Sequence, residues 1–323
     1  MELYPIKFQP IYKYRLWGGN KLKKVLKKNC KGNNIGESWE VSDIEGDETI
    51  VINGPLKGYG LKELIFEFKG DFIGHSVFKK FKGKFPLLIK FIDSKEPLSI
   101  QVHPNNEYAK LYHNSFGKNE MWFIMETDLS AEIIIGFNKE LSVEEYKKAI
   151  KKNTLLELVN FEKIHKRDAY YIPAGRIHAI GAGVVLAEIQ QTSDITYRIY
   201  DYNRIDKLTG LKRELHNDLA ENVLEFKGCD KYNTNYEIER NISNELIHSP
   251  YFKTNYISID GEVIKNYSKL DSFVIYMCVN NQVNIIVNSE LYILNYGETI
   301  LLPANTLIVR LISSNCELLE IYM

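Results

Sequence analysis

Cysteine is scarce: Cys30, Cys229, Cys278 and Cys316 are the only four in 323 residues. They are far apart and form no C-x-x-C pair, so a disulfide scaffold is not expected and all four read as reduced, buried thiols. Neither sign of charge is in excess, with 41 Lys plus Arg against 42 Asp plus Glu and a formal net charge of -1. No global field then draws in nucleic acid or an anionic membrane, which leaves room only for a local positive pocket suited to a small anion. No uncharged apolar run approaches about 18 residues, and the opening MELYPIKFQPIYKYRLWGGNKLKKV carries no apolar signal core. The expectation is a cytoplasmic protein without membrane, nucleic-acid or obligate protein partners. Its apolar fraction of 45% is enough for a large core, and the length suggests two domains.

Short apolar stretches between Gly, Asn and Pro punctuators dominate from Met1 to about Ile100, including Glu40 to Val41, Thr49 to Ile52 and Leu87 to Ile92, and read as strands and turns. In FPLLIKFIDSKEPLSIQVHP, from Phe85, the alternation of Leu98, Ile100 and Val102 predicts that Ser99, Gln101 and His103 share the opposite face. Asn106 to Leu111 reads as a short helix, and Glu120 to Glu126 and Ile133 to Phe137 as strands. The clearest helix is expected over Ser142 to Leu158, opened by a capping box through Glu145. Strands follow at Ala169 to Ile172, Ile177 to Ile180, Val184 to Gln190 and Thr196 to Tyr202. Beyond Cys229 they are expected at Ile247 to Ile257, Phe273 to Val279, Val283 to Val287, Glu290 to Ile293, Thr299 to Leu302 and Leu307 to Leu311, a spacing that favours an antiparallel barrel or sandwich. YYIPAGRIHAI from Tyr170 aligns without gaps on ILLPANTLIVR from Ile300, matching Pro173 to Pro303 and setting His178 opposite Ile308. This echo suggests two related barrels, the second with an apolar interior where the first has a histidine.

Four side chains in this pattern suit a divalent ion. Gln101 and His103 share a strand face, and Glu120 and His178 border other strands, so together they offer two nitrogens and two oxygens. Such a set, with an open position, polarises a substrate oxygen; imidazole favours zinc over magnesium, while iron and manganese stay open. Taken without any relative, His103 and His178 read first as turn residues bonded to backbone, with metal ligation the alternative.

The phrases FPLLIKFIDSKEPLSIQVHP, GKNEMWFI from Gly117, YYIPAGRIHAI and EIQQTSDITYRIYDYNR from Glu188 occur in the order found in the type I mannose-6-phosphate isomerases. Over nearly its whole length the chain resembles the short bacterial members of that zinc-dependent cupin family. The resemblance implies a mainly β bicupin, with two jelly-roll-like antiparallel barrels and a reduced helical segment. It divides the chain into a catalytic domain at 1–235, including a helical segment at about 140–160, and a C-terminal cupin-like domain at 236–323 without metal ligands. It implies one Zn2+ per chain, held by Gln101, His103, Glu120 and His178, and a small sugar phosphate as substrate.

The implied reaction interconverts mannose 6-phosphate and fructose 6-phosphate through an enediol-type intermediate. By resemblance Lys90, Glu188, Asp194 and Arg198 are the catalytic positions, and Lys118 and Trp17 contact substrate. Lys90 is the expected acid/base or oxyanion partner on the strand system of QVHP. Glu188 shares a strand face with Gln190 and can handle a proton, Asp194 assists ring opening, and Arg198 offers a rigid donor fork. An internal salt bridge is the plain alternative for Glu188, Asp194 and Arg198. Gly18, Gly19 and Gly36 to Trp39 are expected to act sterically near the substrate. A non-catalytic sugar-binding module and a metal-dependent oxygenase are the competing readings, since fold alone does not fix chemistry.

Overall fold

The computed structural model describes residues 2–229 and 231–323. Three sheets organise the chain. In spatial order, the six-stranded sheet contains Ile11–Gly19, Ile35–Val41, Leu87–Ser94, Val184–Gln191, Glu120–Thr127 and Ala169–Ile172. The five-stranded sheet contains Tyr197–Tyr200, Ile100–Val102, His178–Ile180, Glu132–Phe137 and Val159–Lys163. The third sheet runs Ser243–His248, Lys253–Asn266, Ile308–Tyr322, Val274–Asn280 and Thr299–Leu302, with Gln282–Val287 added to Ile308–Tyr322 and Glu290–Asn295 added to Gln282–Val287. The chain is mainly β, as its sequence predicts.

The first two sheets pack face to face through Trp17, Ile92, Trp122, Ile133, Ile135 and Leu186. Leu87–Ser94 and Val184–Gln191 are central strands with every residue buried. Their alternation therefore sorts residues between two interiors. Leu87, Ile89 and Phe91 enter a core shared with Phe273, Ile275 and Leu319 of the third sheet, while Lys90 and Ile92 face the five-stranded sheet at the rim of a cavity. A lysine on the inner face of a doubly buried strand needs a partner, because an unpaired charge there is costly.

Several expectations are corrected. Helices at Leu61–Ile73 and His75–Phe81 lie where strands and turns are predicted. Their buried Leu61, Leu64, Ile65, Phe72 and Ile73 follow helical spacing, but the glycines at 58, 60, 70 and 74 read as turn punctuation. Thr49 to Ile52 contributes isolated bridges at Ile50 and Val51 rather than a strand. The helix predicted over Ser142 to Leu158 spans Val143–Lys152. Its capping box is present, with Ser142 and Glu145 bonding each other's backbone N–H, and left-handed Asn153 ends it before a short 3-10 turn at Leu155–Glu157. A turn at 249–252 splits the predicted Ile247 to Ile257 strand, because Ser249 and Phe252 exchange hydrogen bonds there. Leu307 to Leu311 is only the start of Ile308–Tyr322.

The Pro turn of the internal echo recurs in structure. Arg176 N donates to Pro173 O at 3.1 Å, and Thr306 N, at the matching position, donates to Pro303 O at 2.9 Å. Ile308, opposite His178, is nevertheless 47% exposed. The apolar interior is built by its neighbours Val309 and Leu311, since a one-residue slip moves a strand side chain to the other face. Cys229 is exposed, contrary to expectation, because it follows the short bridge at Gly228 rather than entering a core. Cys278 and Cys316 are buried with their sulfurs 3.7 Å apart, brought together by neighbouring strands.

Candidate active site

His178 pairs with Gln101 across two strands, and Arg198 pairs with Gln101 on its other side. The facing sheet sets Glu188 beside both Lys90 and Trp122, and Gln190 beside Glu120. The chemistry-bearing residues thus meet between two sheets, and Lys90 belongs to the sheet opposite QVHP rather than to the same one. The pleat reading holds for Ile100 and Val102, which enter one apolar cluster while His103 turns inward. Leu98 precedes the strand and lines the cavity together with Ser99, so it departs from the predicted alternation.

His103, Glu120 and His178 converge, with one ligand atom from each lying within 4.8 Å of the others. His103 Nδ1 lies 2.8 Å from Ile195 O, and His178 Nδ1 lies 2.8 Å from Arg176 O. A carbonyl only accepts, so both Nδ1 atoms carry hydrogen and both Nε2 atoms present lone pairs. Those two nitrogens are 3.2 Å apart with no proton to share. Glu120 Oε1 stands 3.4 Å from His178 Nε2, and Oε2 stands 3.6 Å from His103 Nε2. Neither carboxylate oxygen receives a well-aligned hydrogen bond, although Lys118 Nζ is 3.1 Å from Oε2. Buried lone pairs converging with so few donors, Lys118 beside Glu120 and the Gln101 amide beside His178, fit a cation, and imidazole with carboxylate is a donor set for a divalent metal.

Burial lowers both histidines: His178 falls to about 4, and His103, further lowered by Lys118 and His178, drops well below the usual range. Both are neutral, as metal ligation requires. Burial raises Glu120 to about 7 against the opposing charge of Lys118. Gln101 Nε2 approaches His178 Nε2 at 3.3 Å, so its amide must turn over for the oxygen to join the set.

Beside this trio, reached through Gln101 and Lys118, lies a cavity of about 420 Å³ whose wall also holds Trp17, Trp39, Lys90, Glu188, Asp194 and Arg198, among others. Lys90 Nζ donates to Glu188 Oε1 at 2.9 Å and to Gln190 Oε1 at 2.6 Å, confirming their shared face. Trp122 Nε1 donates to Glu188 Oε2 at 3.0 Å. Burial pushes Glu188 upward, but Lys90 and then Lys118 outweigh it and hold the carboxyl low. For Lys118, burial is outweighed by Glu120 and Glu188, which keep the ammonium charged. The alternative of an internal salt bridge among Glu188, Asp194 and Arg198 does not form: Glu188 pairs with Lys90, Asp194 is exposed at the rim, and Arg198 Nη1 donates to Glu214 O at 2.9 Å.

The glycines allow close packing beside Trp17. A Cβ on Gly36 would stand 2.6 Å from the Trp17 ring, and one on Gly18 would stand 2.5 Å from Gly36 N. Sequence reasoning missed Arg15 and Arg213 and gave Glu37, inside the Gly36 to Trp39 segment, no charged role; all three line the cavity. Arg15 Nε donates to Glu37 Oε1 at 2.7 Å, and Trp39 Nε1 donates to Oε2 at 2.6 Å. Burial acts to raise Glu37, yet Arg15 and Lys90 together hold it at about 2. The parity of Glu37 with Trp39 was its available signal; Arg213 arrives on a loop, which has none.

The arrangement is that of a metal-capable site beside a polar, charge-lined pocket on a mainly β scaffold. Residues 6–133 match the family described as phosphomannose isomerase type I, catalytic domain. The mannose-6-phosphate isomerase ManA of Bacillus subtilis (strain 168) is 33% identical over 307 residues, covering 94% of each chain. A mannose-6-phosphate isomerase of Streptococcus mutans is 34% identical over 303 residues, covering 93% of this chain and 92% of the relative. The solved structure of the Bacillus subtilis mannose 6-phosphate isomerase superposes with a TM-score of 0.90 at 31% identity, over 99% of this chain and 100% of the other. The chain belongs to the type I mannose-6-phosphate isomerase family.

Proposed function

We propose that the chain reversibly isomerises D-mannose 6-phosphate and D-fructose 6-phosphate, with one Zn2+ held by Gln101, His103, Glu120 and His178. The convergence of buried imidazole and carboxylate lone pairs beside a cavity lined by Lys90, Glu188 and Arg198 carries this reading. When bound, zinc supplies Lewis acidity toward the substrate oxygens. Asp194, at the open rim, takes and returns a hydroxyl proton as the sugar ring opens. The Lys90 and Glu188 pair takes the proton from C2 and returns it to C1, while the O2 hydroxyl proton passes to O1, through an enediol-type intermediate. Two Lys90 hydrogens are committed to Glu188 and Gln190, leaving the third for a substrate oxygen. Lys118 and Arg198 hold developing negative charge or the phosphoryl group, and Trp17 packs against the sugar.

The catalytic unit in this reading is 1–235, and 236–323 is a second cupin-like unit without metal ligands; together they form a bicupin of two jelly-roll-like barrels. Support comes from the recurring Pro turn and from the apolar interior around Val309 and Leu311. Among the described residues no helix is long and apolar enough to cross a membrane, and we place the reaction in the cytoplasm, where sugar phosphates reside. The test is a coupled isomerisation assay on metal-stripped protein, repeated after zinc is restored and beside His178→Ala. Zinc-dependent turnover absent from the variant is expected; a zinc-loaded, folded wild type without turnover sinks the assignment.

A further inference from the structure

The segment after Tyr197–Tyr200 returns to the cavity as a hairpin, with Ile205 bridging Lys212 and Asp206 N donating to Leu211 O. It brings Arg213 to the cavity wall, beside Arg198, whose Nη1 bonds the carbonyl of the adjacent Glu214. Two guanidinium groups therefore share one wall, and Arg198 Nε is buried with no partner among the described residues. Like charges gathered with a donor to spare suit an incoming anion, and the planar fork of arginine suits phosphate oxygens.

Asp201 lies behind this wall, 5% exposed. Its carboxylate accepts from Arg213 Nε at 2.8 Å and Nη2 at 2.6 Å, and from Arg204 Nη2 at 2.5 Å. Arg204 faces away from the cavity and ties to Pro97 O instead. Resting on the isomerase reading above, we propose that Asp201 is a positioning residue: it grips one edge of Arg213 and presents the guanidinium, beside Arg198, to the substrate phosphoryl group. A long side chain fixed beforehand does not have to surrender its rotamer freedom when the anion arrives.

Two effects of opposite sign separate this assignment from simple neutralisation. If Asp201 only offsets the arginine charge, removing it strengthens anion binding; if it positions Arg213, removing it weakens binding. Zinc-loaded full-length Asp201→Asn and Arg213→Gln are expected to raise KM for mannose 6-phosphate about tenfold, weaken inhibition by inorganic phosphate equally, and leave kcat within about twofold. Arg204→Gln, which removes the other partner of the same carboxylate, is expected to lower Tm while leaving KM and phosphate inhibition unchanged. An unchanged or lowered KM in Asp201→Asn overturns the proposal, as does Arg204→Gln reproducing its KM defect. Should Asp201→Asn not fold, Arg213→Lys decides: it keeps the charge but not the paired grip, so wild-type KM in that variant is fatal to the proposal. Calorimetric binding of inorganic phosphate to the same proteins reads the assignment without turnover, so failure of the isomerase reading and failure of this one are distinguishable.

Discussion

Two imidazoles that have each committed Nδ1–H to a backbone carbonyl cannot bond one another, so at the residue scale His103 and His178 are arranged for something other than each other. Removing either as alanine is expected to abolish stoichiometric zinc, measured by elemental analysis after dialysis, with retained folding by circular dichroism. Lys90→Gln tests a different link, because it keeps much of the volume while deleting the charge beside Glu188. Its kcat is expected to fall about 10²- to 10⁴-fold, the range for losing a proton-transfer group, with zinc content unchanged. Glu37 supplies a pH test. Its folded value, about 2, is below the ordinary 4.5, so the pair with Arg15 stabilises the native state fully above about pH 4.5, and that contribution is lost as pH falls through about 2. Glu37→Gln is expected to cost about 1–3 kcal/mol near neutrality. Urea titrations should show the difference shrinking toward zero in acid; a constant difference would contradict the link.

At the element scale, the strands Leu87–Ser94 and Val184–Gln191 were legible because their apolar runs are broken by few polar residues, among them the mutually paired Lys90 and Glu188. The capping box at Ser142 was equally plain, and Ser142→Ala is expected to cost about 1 kcal/mol in thermal or chemical unfolding without moving KM. What the pattern hid has physical causes. Glycine punctuation disguised Leu61–Ile73, whose Gly70 sits where a Cβ would strike the His75 ring. Assigning Lys90 to one sheet and Gln101 to the other required knowing which strands pair, and pairing between distant segments leaves no local trace. The grip of Asp201 on Arg213 spans an irregular hairpin, where no period exists to read. The Ile11–Gly19 and Ile35–Val41 strands touch through glycine, and Gly36→Ala is expected to cost about 1–3 kcal/mol through overpacking against Trp17. Because Trp17 lines the cavity, KM should rise in the same variant.

On the scale of the whole molecule, the sheet that bears the site has its back to the rest of the chain. Phe123 stacks on Tyr256 at 5.8 Å, Phe85 meets Phe273 at 4.7 Å, and Ile6 exchanges backbone hydrogen bonds with Leu301. One apolar cluster thus runs from Leu3 through Phe91 and Ile189 to Ile321. Arg167 adds an ion pair to the buried Glu317 from across the same seam. A fragment ending at residue 235 would leave Phe85, Phe91 and Phe123 facing water, and such a fragment is expected to be recovered as aggregate rather than as soluble, zinc-binding protein. Heating the full chain should give one calorimetric transition instead of two. The C-terminal sheet is therefore part of the wall behind the strands that carry the pocket: gene fragments encoding the pocket alone would be sterile, and recombination between relatives would have to exchange both parts together to leave a working protein.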